Sequence, residues 1–314
     1  MYSVEAQMNK NNTDKLVEEF RKQFIREDIP ESLYHYTPIE GFKGIIDKKE
    51  IRATAANYLL NDPTEITMAK TIALKALQER EKDFNGKEGL YDHCKTTLEN
   101  SDALKKYQFV SSFTEKEDSL RQWRAYCPEG GVSIGFSVPK IGGNNPYLYI
   151  KDKDGSYHND YYVHEHYIYK CIYDPQEQKQ KINYLFDFFL ERTGRVNELE
   201  MRKLKTFLSK MIQIFSYSFK DKSFEEEKEW RLCCFLYQDN DQIKYRFKDS
   251  MRIPYLPFLA VDDKNRSIIR SIKIGPSRDE ENLKNSISSY LKDSGYQLGL
   301  DISVSITETP YQTL

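Results

Sequence analysis

Short apolar segments with strand-like alternation are the feature that most restricts how this chain can fold. Val132, Ile134 and Phe136 alternate with serine and glycine, which is typical of a half-buried strand. Similar short runs recur through the middle of the chain. Segments with helical spacing precede them, lie between them and follow them. This order of elements predicts an α+β fold.

The length of 314 residues fits one elaborated domain or two small ones. We predict an N-terminal helical extension over residues 1–30, followed by a single domain over residues 31–314. Two helical segments near 176–222 interrupt the strand-rich region, and the second has a continuous apolar face. We therefore interpret them as a helical insert within the domain.

The charge balance excludes a strong general attraction to nucleic acid or anionic lipid. The chain has 47 basic and 49 acidic side chains and a net charge of -2, which leaves only a local basic groove open. No run approaches the roughly 18 apolar residues of a membrane span, and residues 1–15 lack an apolar signal core. The five cysteines form no CxxC pair. These features predict a cytoplasmic protein with reduced thiols and no membrane partner.

Familiar catalytic motifs are missing from the sequence. There is no P-loop, HExxH or GxSxG, and GGVSIG at 130–135 precedes a strand instead of linking a strand to a helix. His164 and His166 could share a strand face, but no cysteine or carboxylate pair completes a familiar metal spacing. We predict that the protein has no metal site.

The stretch EEEKEWRLCCF at 225–235 brings carboxylates up to an apolar run. If the stretch is extended, Glu227, Glu229 and Arg231 share one face, with the two carboxylates about 6–7 Å apart along the strand. Two interpretations stay open. The glutamates form either a solvated strand end that pairs with arginine or lysine, or a carboxylate pair at a cleft.

Two further stretches carry candidate site residues. In SLYHYT, strand alternation places His35 and Thr37 on one face and the flanking tyrosines on the other. In VSSFTEKEDSLRQWRAY, two serines lie at the end of a predicted strand. A predicted helix that carries Trp123 and Tyr126 follows them. Each of these side chains fits an ordinary core position as well as a ligand-binding wall.

Four motifs in a fixed order resemble a bacterial family of unknown function. They are LYHYT at 33–37, LNDPTE at 60–65, SFTEKEDSLRQWRAY at 112–126 and FEEEKEWRL at 224–232. That family is in turn distantly similar to ADP-ribosyltransferases, which clasp NAD in a split mixed β-sheet without a dinucleotide fingerprint. The resemblance therefore implies a split sheet of this type and NAD as a substrate.

The resemblance also implies roles for single residues. The late strand of such enzymes carries the catalytic acid, which matches Glu229, and Glu227 would orient the acceptor, although the order of these two roles stays open. An early strand and a middle strand contact nicotinamide or ribose. The matching candidates for binding NAD are His35 and Thr37 on the early strand, Ser111 or Ser112 on the middle strand, Tyr36, Trp123 and Tyr126 as stacking or wall residues, and Arg52 as a phosphate or substrate contact.

The function that the resemblance implies is an NAD-dependent mono-ADP-ribosyltransferase, a toxin or phage-defence effector that modifies a nucleic acid or a protein. An antitoxin or regulator protein would be a further partner. Two alternatives stay open. One is a non-catalytic module that binds a nucleotide. The other is a metal-dependent nuclease that uses Glu227, Glu229 and Asp62, although Asp62 also fits a capping box with Glu65 at a helix start.

Overall fold

The computed structural model describes the greater part of the chain. Contacts between residues divide it into two compact units, which we treat separately. One unit comprises Met1–Asp28, Leu60–Lys105 and Cys171–Glu225, and the other comprises Ile29–Leu59, Lys106–Lys170 and Glu226–Leu314. The described residues are 15–17, 19–20, 30–58, 65–86, 88–99, 106–138, 140–141, 145–146, 149–150, 166–193, 198–237, 240–248, 250–261 and 266–310.

The elements alternate between strands and helices along the chain, as the sequence predicts. Short 3-10 helices lie at Ala56–Tyr58, Glu81–Phe84 and Lys222–Glu227. In chain order, the strands and α-helices are β1 (Ser32–Thr37), α1 (Ile39–Lys48), β2 (Glu50–Ala55), α2 (Glu65–Glu79), α3 (Glu88–Glu99), β3 (Lys106–Thr114), α4 (Leu120–Tyr126), β4 (Val132–Ser137), β5 (Lys140–Ile141), β6 (Asn145–Pro146), β7 (Tyr149–Ile150), β8 (His166–Lys170), α5 (Pro175–Arg192), α6 (Glu198–Ser218), β9 (Glu229–Tyr237), β10 (Lys244–Lys248), β11 (Met251–Leu259), β12 (Ile269–Ile274), α7 (Glu280–Asp293) and β13 (Ser303–Ile306).

A large mixed β-sheet forms the second unit, which confirms the α+β class. Its main path is β10-β11-β2-β3-β1-β4-β12-β13, and β9 pairs with β3 and β8. The pairing is antiparallel except between β12 and β13, which run parallel. Strands from distant parts of the sequence therefore lie side by side in the sheet.

The sheet opens along one edge of β3. On its other edge, β3 pairs with β9 from end to end. On the open edge, β2 pairs with Phe109 and Val110, and β1 pairs only with Thr114. Ser112 lies between these contacts, and in the described residues neither β1 nor β2 pairs with it. The sheet is thus split at this point, between β2 on one side and β1 on the other.

One face of this sheet carries the apolar core. Phe109 and Trp230 belong to it, and α1 contributes Phe42 and Ile46, which the helical spacing predicts to face inward. The strand β4 differs from its prediction as a half-buried strand. Ser133 is also fully buried, because both faces of β4 are covered.

The first unit is helical and is built from α2, α3, α5 and α6. Asp174 caps α5 by accepting hydrogen bonds from two backbone amides, and Pro175 occupies the first helical position. The apolar face of α6 is buried as predicted. Phe20 packs edge-to-face on Phe188 and Phe207, with ring centroids 5.3 and 5.9 Å apart. Aromatic packing thus holds the helices together.

Several sequence predictions lie outside the described residues, among them the Asp62–Glu65 capping box and His164. The two helices of the predicted insert are present at nearly their predicted bounds, and they group with Leu60–Lys105. The predicted division into residues 1–30 and 31–314 stays a prediction. None of the helices in the described part of the chain combines the length and apolar character that crossing a bilayer requires.

Candidate functional site

A cavity lies at the end of β3, where β1 joins it. Its volume of about 50 Å³ exceeds several-fold the roughly 10–15 Å³ that one water molecule needs, so it can hold a small polar group or several waters. The side chains around it come from β1, β3, α4, the turn before β9 and the first residue of β9. They are Tyr34, His35, Tyr36, Ser112, Phe113, Thr114, Gln122, Tyr126, Glu227 and Glu229.

A buried ion pair supports the acidic side of the cavity. Glu229 and Arg231 lie two residues apart on β9 and therefore on the same face. Arg231 donates from Nε to Glu229 Oε1 at 2.9 Å and from Nη2 to Oε2 at 3.0 Å. Glu229 is 5% exposed and Arg231 2%. The two-point contact fixes the plane of the carboxylate.

Glu227 reaches the cavity from a different element, which corrects the prediction that it shares a strand face with Glu229. It ends the 3-10 helix, and Lys228 adopts a left-handed conformation (φ 46°) before β9 begins. The hydroxyl of Thr114 donates to the Glu227 carbonyl at 2.7 Å, which ties this turn to β3. The two carboxylates converge on one cavity, as predicted for a cleft, but through a turn and not through strand alternation.

His35 occupies the opening between β1 and β3. Its Nδ1 lies 2.9 Å from the carbonyl oxygen of Ser112, and since a carbonyl only accepts, Nδ1 carries the proton. Nε2 is then an acceptor. Burial lowers the pKa of His35, and the hydrogen bond to Ser112 opposes this shift only in part. His35 is therefore neutral at pH 7 and offers an acceptor for a hydroxyl or amide donor.

Tyr36 in the cavity wall and Trp123 behind it hold α4 in place. The Tyr36 hydroxyl donates to the Lys116 carbonyl at 3.0 Å and accepts from the Ser119 amide at 2.9 Å, and burial raises its pKa. The Trp123 ring packs edge-to-face on Tyr36 with centroids 4.5 Å apart, and its Nε1 donates to Asp118 at 2.7 Å. These contacts fix the start of the helix that delivers side chains to the cavity.

The helix α4 supplies a residue that sequence reasoning did not select. Gln122 and Tyr126 are four residues apart, so they lie on the same helix face. Gln122 is 6% exposed and Tyr126 40% exposed, and both line the cavity. The same spacing could have identified Gln122. Strand alternation could likewise have added Tyr34 and Thr114 as same-face neighbours of Tyr36 and Ser112.

The structure brings most of the predicted residues to the cavity, but not all of them. Ser111 lies on the opposite face of β3 from Ser112, and Trp123 lies behind the cavity. Thr37 is buried beside Gly41, and the guanidinium of Arg52 stacks over the ring of Tyr255. Their roles in binding a ligand stay predictions. The predicted residues that line the cavity are His35, Tyr36, Ser112, Tyr126, Glu227 and Glu229.

Across the parts of the chain that the structure describes, no group of three or more histidine, cysteine, aspartate or glutamate side chains is arranged to hold a metal ion. Asp62, which the nuclease alternative requires, lies outside them. The nuclease alternative therefore stays a prediction.

Residues 122–232 match a family model described as a protein of unknown function (DUF2971). This confirms, for about a third of the chain, the resemblance to a family of unknown function. The matched segment begins at Gln122 and includes both glutamates of the cavity, whereas His35 and Ser112 precede it. No curated protein and no solved structure matched the chain.

Proposed function

We propose that this protein is an NAD-dependent mono-ADP-ribosyltransferase. One observation carries the proposal: His35, Ser112 and Glu229, which come from three separate stretches of sequence, surround one cavity at a split in the sheet. NAD is the substrate, and the acceptor is a nucleic acid or a protein. The roles of toxin or phage-defence effector, and of an antitoxin as partner, stay predictions.

The charge distribution of the cavity suits cleavage of the bond between nicotinamide and ribose. When that bond breaks, nicotinamide leaves with the bonding electron pair and positive charge builds on the ribose ring. A fixed anion close to the ring stabilises this state. Glu229 supplies that anion, because Arg231 holds its carboxylate in one orientation within a buried site.

The remaining steps need a positioned acceptor and a positioned sugar. The acceptor's oxygen or nitrogen bonds to C1′ of the ribose and releases its proton to water, and Glu227 orients that acceptor. The neutral His35 accepts a hydrogen bond at Nε2 from a ribose hydroxyl or from the carboxamide of nicotinamide. Tyr126, partly exposed on α4, forms the outer wall of the cavity.

The same ion pair favours a second candidate, a module that binds a nucleotide without turnover. Both carboxylate oxygens of Glu229 already accept hydrogen bonds from Arg231, which reduces their capacity to contact a sugar. Such a module would bind NAD or ADP-ribose and release no nicotinamide. Calorimetry combined with a turnover assay separates the two candidates.

The decisive experiment measures nicotinamide release from NAD in the presence of single-stranded DNA, RNA or protein acceptors. We expect release by the wild type with at least one acceptor. Glu229→Gln should reduce it about a hundredfold or more, because the variant removes the charge that stabilises the transition state. Glu227→Gln should impair transfer to the acceptor more than it impairs cleavage of NAD in water.

The matched control is Glu226→Gln. Glu226 precedes Glu227 directly, but its carboxylate is exposed and pairs with Arg121 at 3.3 Å. Its replacement should leave nicotinamide release within about twofold of the wild type, since exposed ion pairs contribute little. Thermal unfolding of each variant verifies that the cavity is intact. Equal release by wild type and Glu229→Gln, or silence of both with every acceptor, contradicts the transferase proposal.

A further inference from the structure

A second polar cluster lies on the same face of the sheet as the cavity, across β2, β11 and β10. The guanidinium carbon of Arg52 lies 5.0 Å from the centroid of the Tyr255 ring. Arg246 donates from Nη2 to the hydroxyl of Thr54 at 3.1 Å. The registers that pair Thr54 with Tyr255, and Arg246 with Ile253, place all these side chains on one face.

The charges of the two arginines repel each other, and neither has a counter-ion in the described ranges. Neither forms an ion pair there, and the nearby Glu50 carboxylate contacts Lys244 instead, at 3.9 Å. Arg246 Nε is buried and lacks a hydrogen-bond partner among the residues described. Burial and the positive charge of Arg52 both lower the pKa of Arg246. An anion between the guanidinium groups would remove this repulsion and supply the missing acceptor.

We propose that Arg52 and Arg246 form a binding site for a phosphate group. A guanidinium is planar and presents paired donors that match phosphate oxygens, and the Thr54 hydroxyl holds one of the two groups in place. Tyr255, only 8% exposed, orients the other by stacking. The site uses residues outside the cavity and does not depend on the transferase activity.

The position of the site indicates how a ligand would extend. Thr54 pairs with Val110, so continuing this register places Arg52 opposite Ser112, with both side chains on the same face of the sheet. The opening along β3 lies between these two residues. A ligand whose sugar lies in the cavity therefore reaches the arginines with its phosphates. The phosphate comes either from a dinucleotide or from the backbone of a nucleic-acid acceptor.

Calorimetry at low salt with four probes tests the proposal. The probes are inorganic pyrophosphate, ADP-ribose, adenosine and a single-stranded oligonucleotide of about ten nucleotides. We expect the wild type to bind at least one phosphate-bearing probe. Arg52→Gln and Arg246→Gln should each weaken that binding about tenfold or more, as expected for hydrogen bonds to charged groups. Binding of adenosine should not change.

The control variant is Arg252→Gln. Arg252 is exposed on the same hairpin but belongs to the opposite face, where it stacks 3.7 Å from the centroid of Tyr245. It should change phosphate binding less than about twofold, since a remote exposed charge acts only through screened electrostatics. Equal weakening by Arg252→Gln and Arg246→Gln would indicate general charge attraction and overturn the proposal.

Thermal unfolding separates a binding site from a structural contact. In the ligand-free protein, Arg246→Gln should keep or raise the melting temperature because it relieves a like-charge repulsion. A lowered melting temperature together with no stabilisation of the wild type by any phosphate probe overturns the proposal.

Stabilisation by ADP-ribose identifies a dinucleotide as the source of the phosphate, and stabilisation by the oligonucleotide alone identifies a nucleic acid. Glu229→Gln should lose nicotinamide release but keep phosphate binding, so the two proposals fail separately.

Discussion

Around β3 and β9 both faces of the large sheet are buried, but they differ in chemistry. On one face Phe109 and Trp230 join the apolar core. On the other, Thr114, Glu229 and Arg231 are buried to a similar extent. Burying apolar surface stabilises a fold by about 25 cal/mol per Å², whereas a buried charge has to be paired to avoid a net cost. The buried charges of the polar face therefore contribute little net stability, in contrast to the side chains of the apolar face.

Removing one member of the buried ion pair should produce the largest effect on the polar face. Arg231→Met leaves Glu229 buried without its guanidinium partner, and we expect a loss of about 3–5 kcal/mol in the free energy of unfolding. Adding Glu229→Gln removes the orphaned charge, so the double variant should be more stable than the single one. Urea denaturation of both variants measures this difference.

An additive result would contradict this view of the polar face. If the double variant loses as much as the sum of the two single variants, the pair does not act as a coupled unit. The polar face would then contribute to stability in the same way as the apolar one, and the contrast between the two faces would disappear.

The apolar face is tested by Phe109→Ala. Phe109 is fully buried and packs edge-to-face with Tyr107, with centroids 5.8 Å apart. Its truncation leaves a cavity and should reduce the free energy of unfolding by about 3–5 kcal/mol. Phe247→Ala is the control, because Phe247 is 77% exposed and should change stability by less than about 0.5 kcal/mol. Similar losses for both phenylalanines would contradict the assignment of the core.

Local sequence patterns predicted the elements and the faces of this sheet well. Alternation in SLYHYT separates His35 from the two tyrosines, and the registers of β1 confirm it. Alternation in EWRL likewise places Glu229 and Arg231 together. These patterns are reliable because the strand period depends only on backbone geometry. The sequence could also predict both helices of the insert, the second of them from its continuous apolar face.

The arrangement of the cavity was less accessible from sequence. Glu227 reaches the cavity because Lys228 adopts a left-handed backbone conformation. This conformation favours glycine, so a lysine at this position gives no sign of it in the sequence. The meeting of His35 with Ser112 depends on which strands share an edge of β3. Strand alternation determines which face of the sheet a side chain is on, but not which strands lie beside it. Arg246 is distant in sequence from Arg52, so the sequence did not identify it as a neighbour of Arg52.

A close contact behind the polar face provides the third test. A Cβ atom at Gly275 would lie 2.7 Å from two ring carbons of Trp123, which is itself 1% exposed and has no room to move. Gly275→Ala should therefore reduce the free energy of unfolding by about 1–3 kcal/mol. It should also disturb the proposed binding of a nucleotide, since Trp123 holds α4. Gly44→Ala, in an open position of α1, should instead raise stability by about 0.5–1 kcal/mol.

The smallest predicted effect concerns the pH dependence that His35 brings to the cavity. Burial lowers its pKa in the folded state below the ordinary value of 6.5. Protons therefore bind more readily to the unfolded chain. The contribution of the neutral imidazole to stability is complete above pH 6.5 and is lost as the pH falls through the folded-state pKa, with a slope of at most about 1.4 kcal/mol per pH unit.

His35→Gln should flatten this slope below pH 6.5, because glutamine does not titrate. Protonated His35 also loses its acceptor at Nε2, so the proposed binding of a nucleotide should weaken over the same pH range in the wild type only. His93→Gln is the control, because burial and Lys205 lower the pKa of His93 as well, but it lies on α3 in the helical unit. His93→Gln should change how the free energy of unfolding depends on pH, and it should leave the pH dependence of binding intact. A pH dependence of binding that persists in His35→Gln would place the titrating group elsewhere around the cavity.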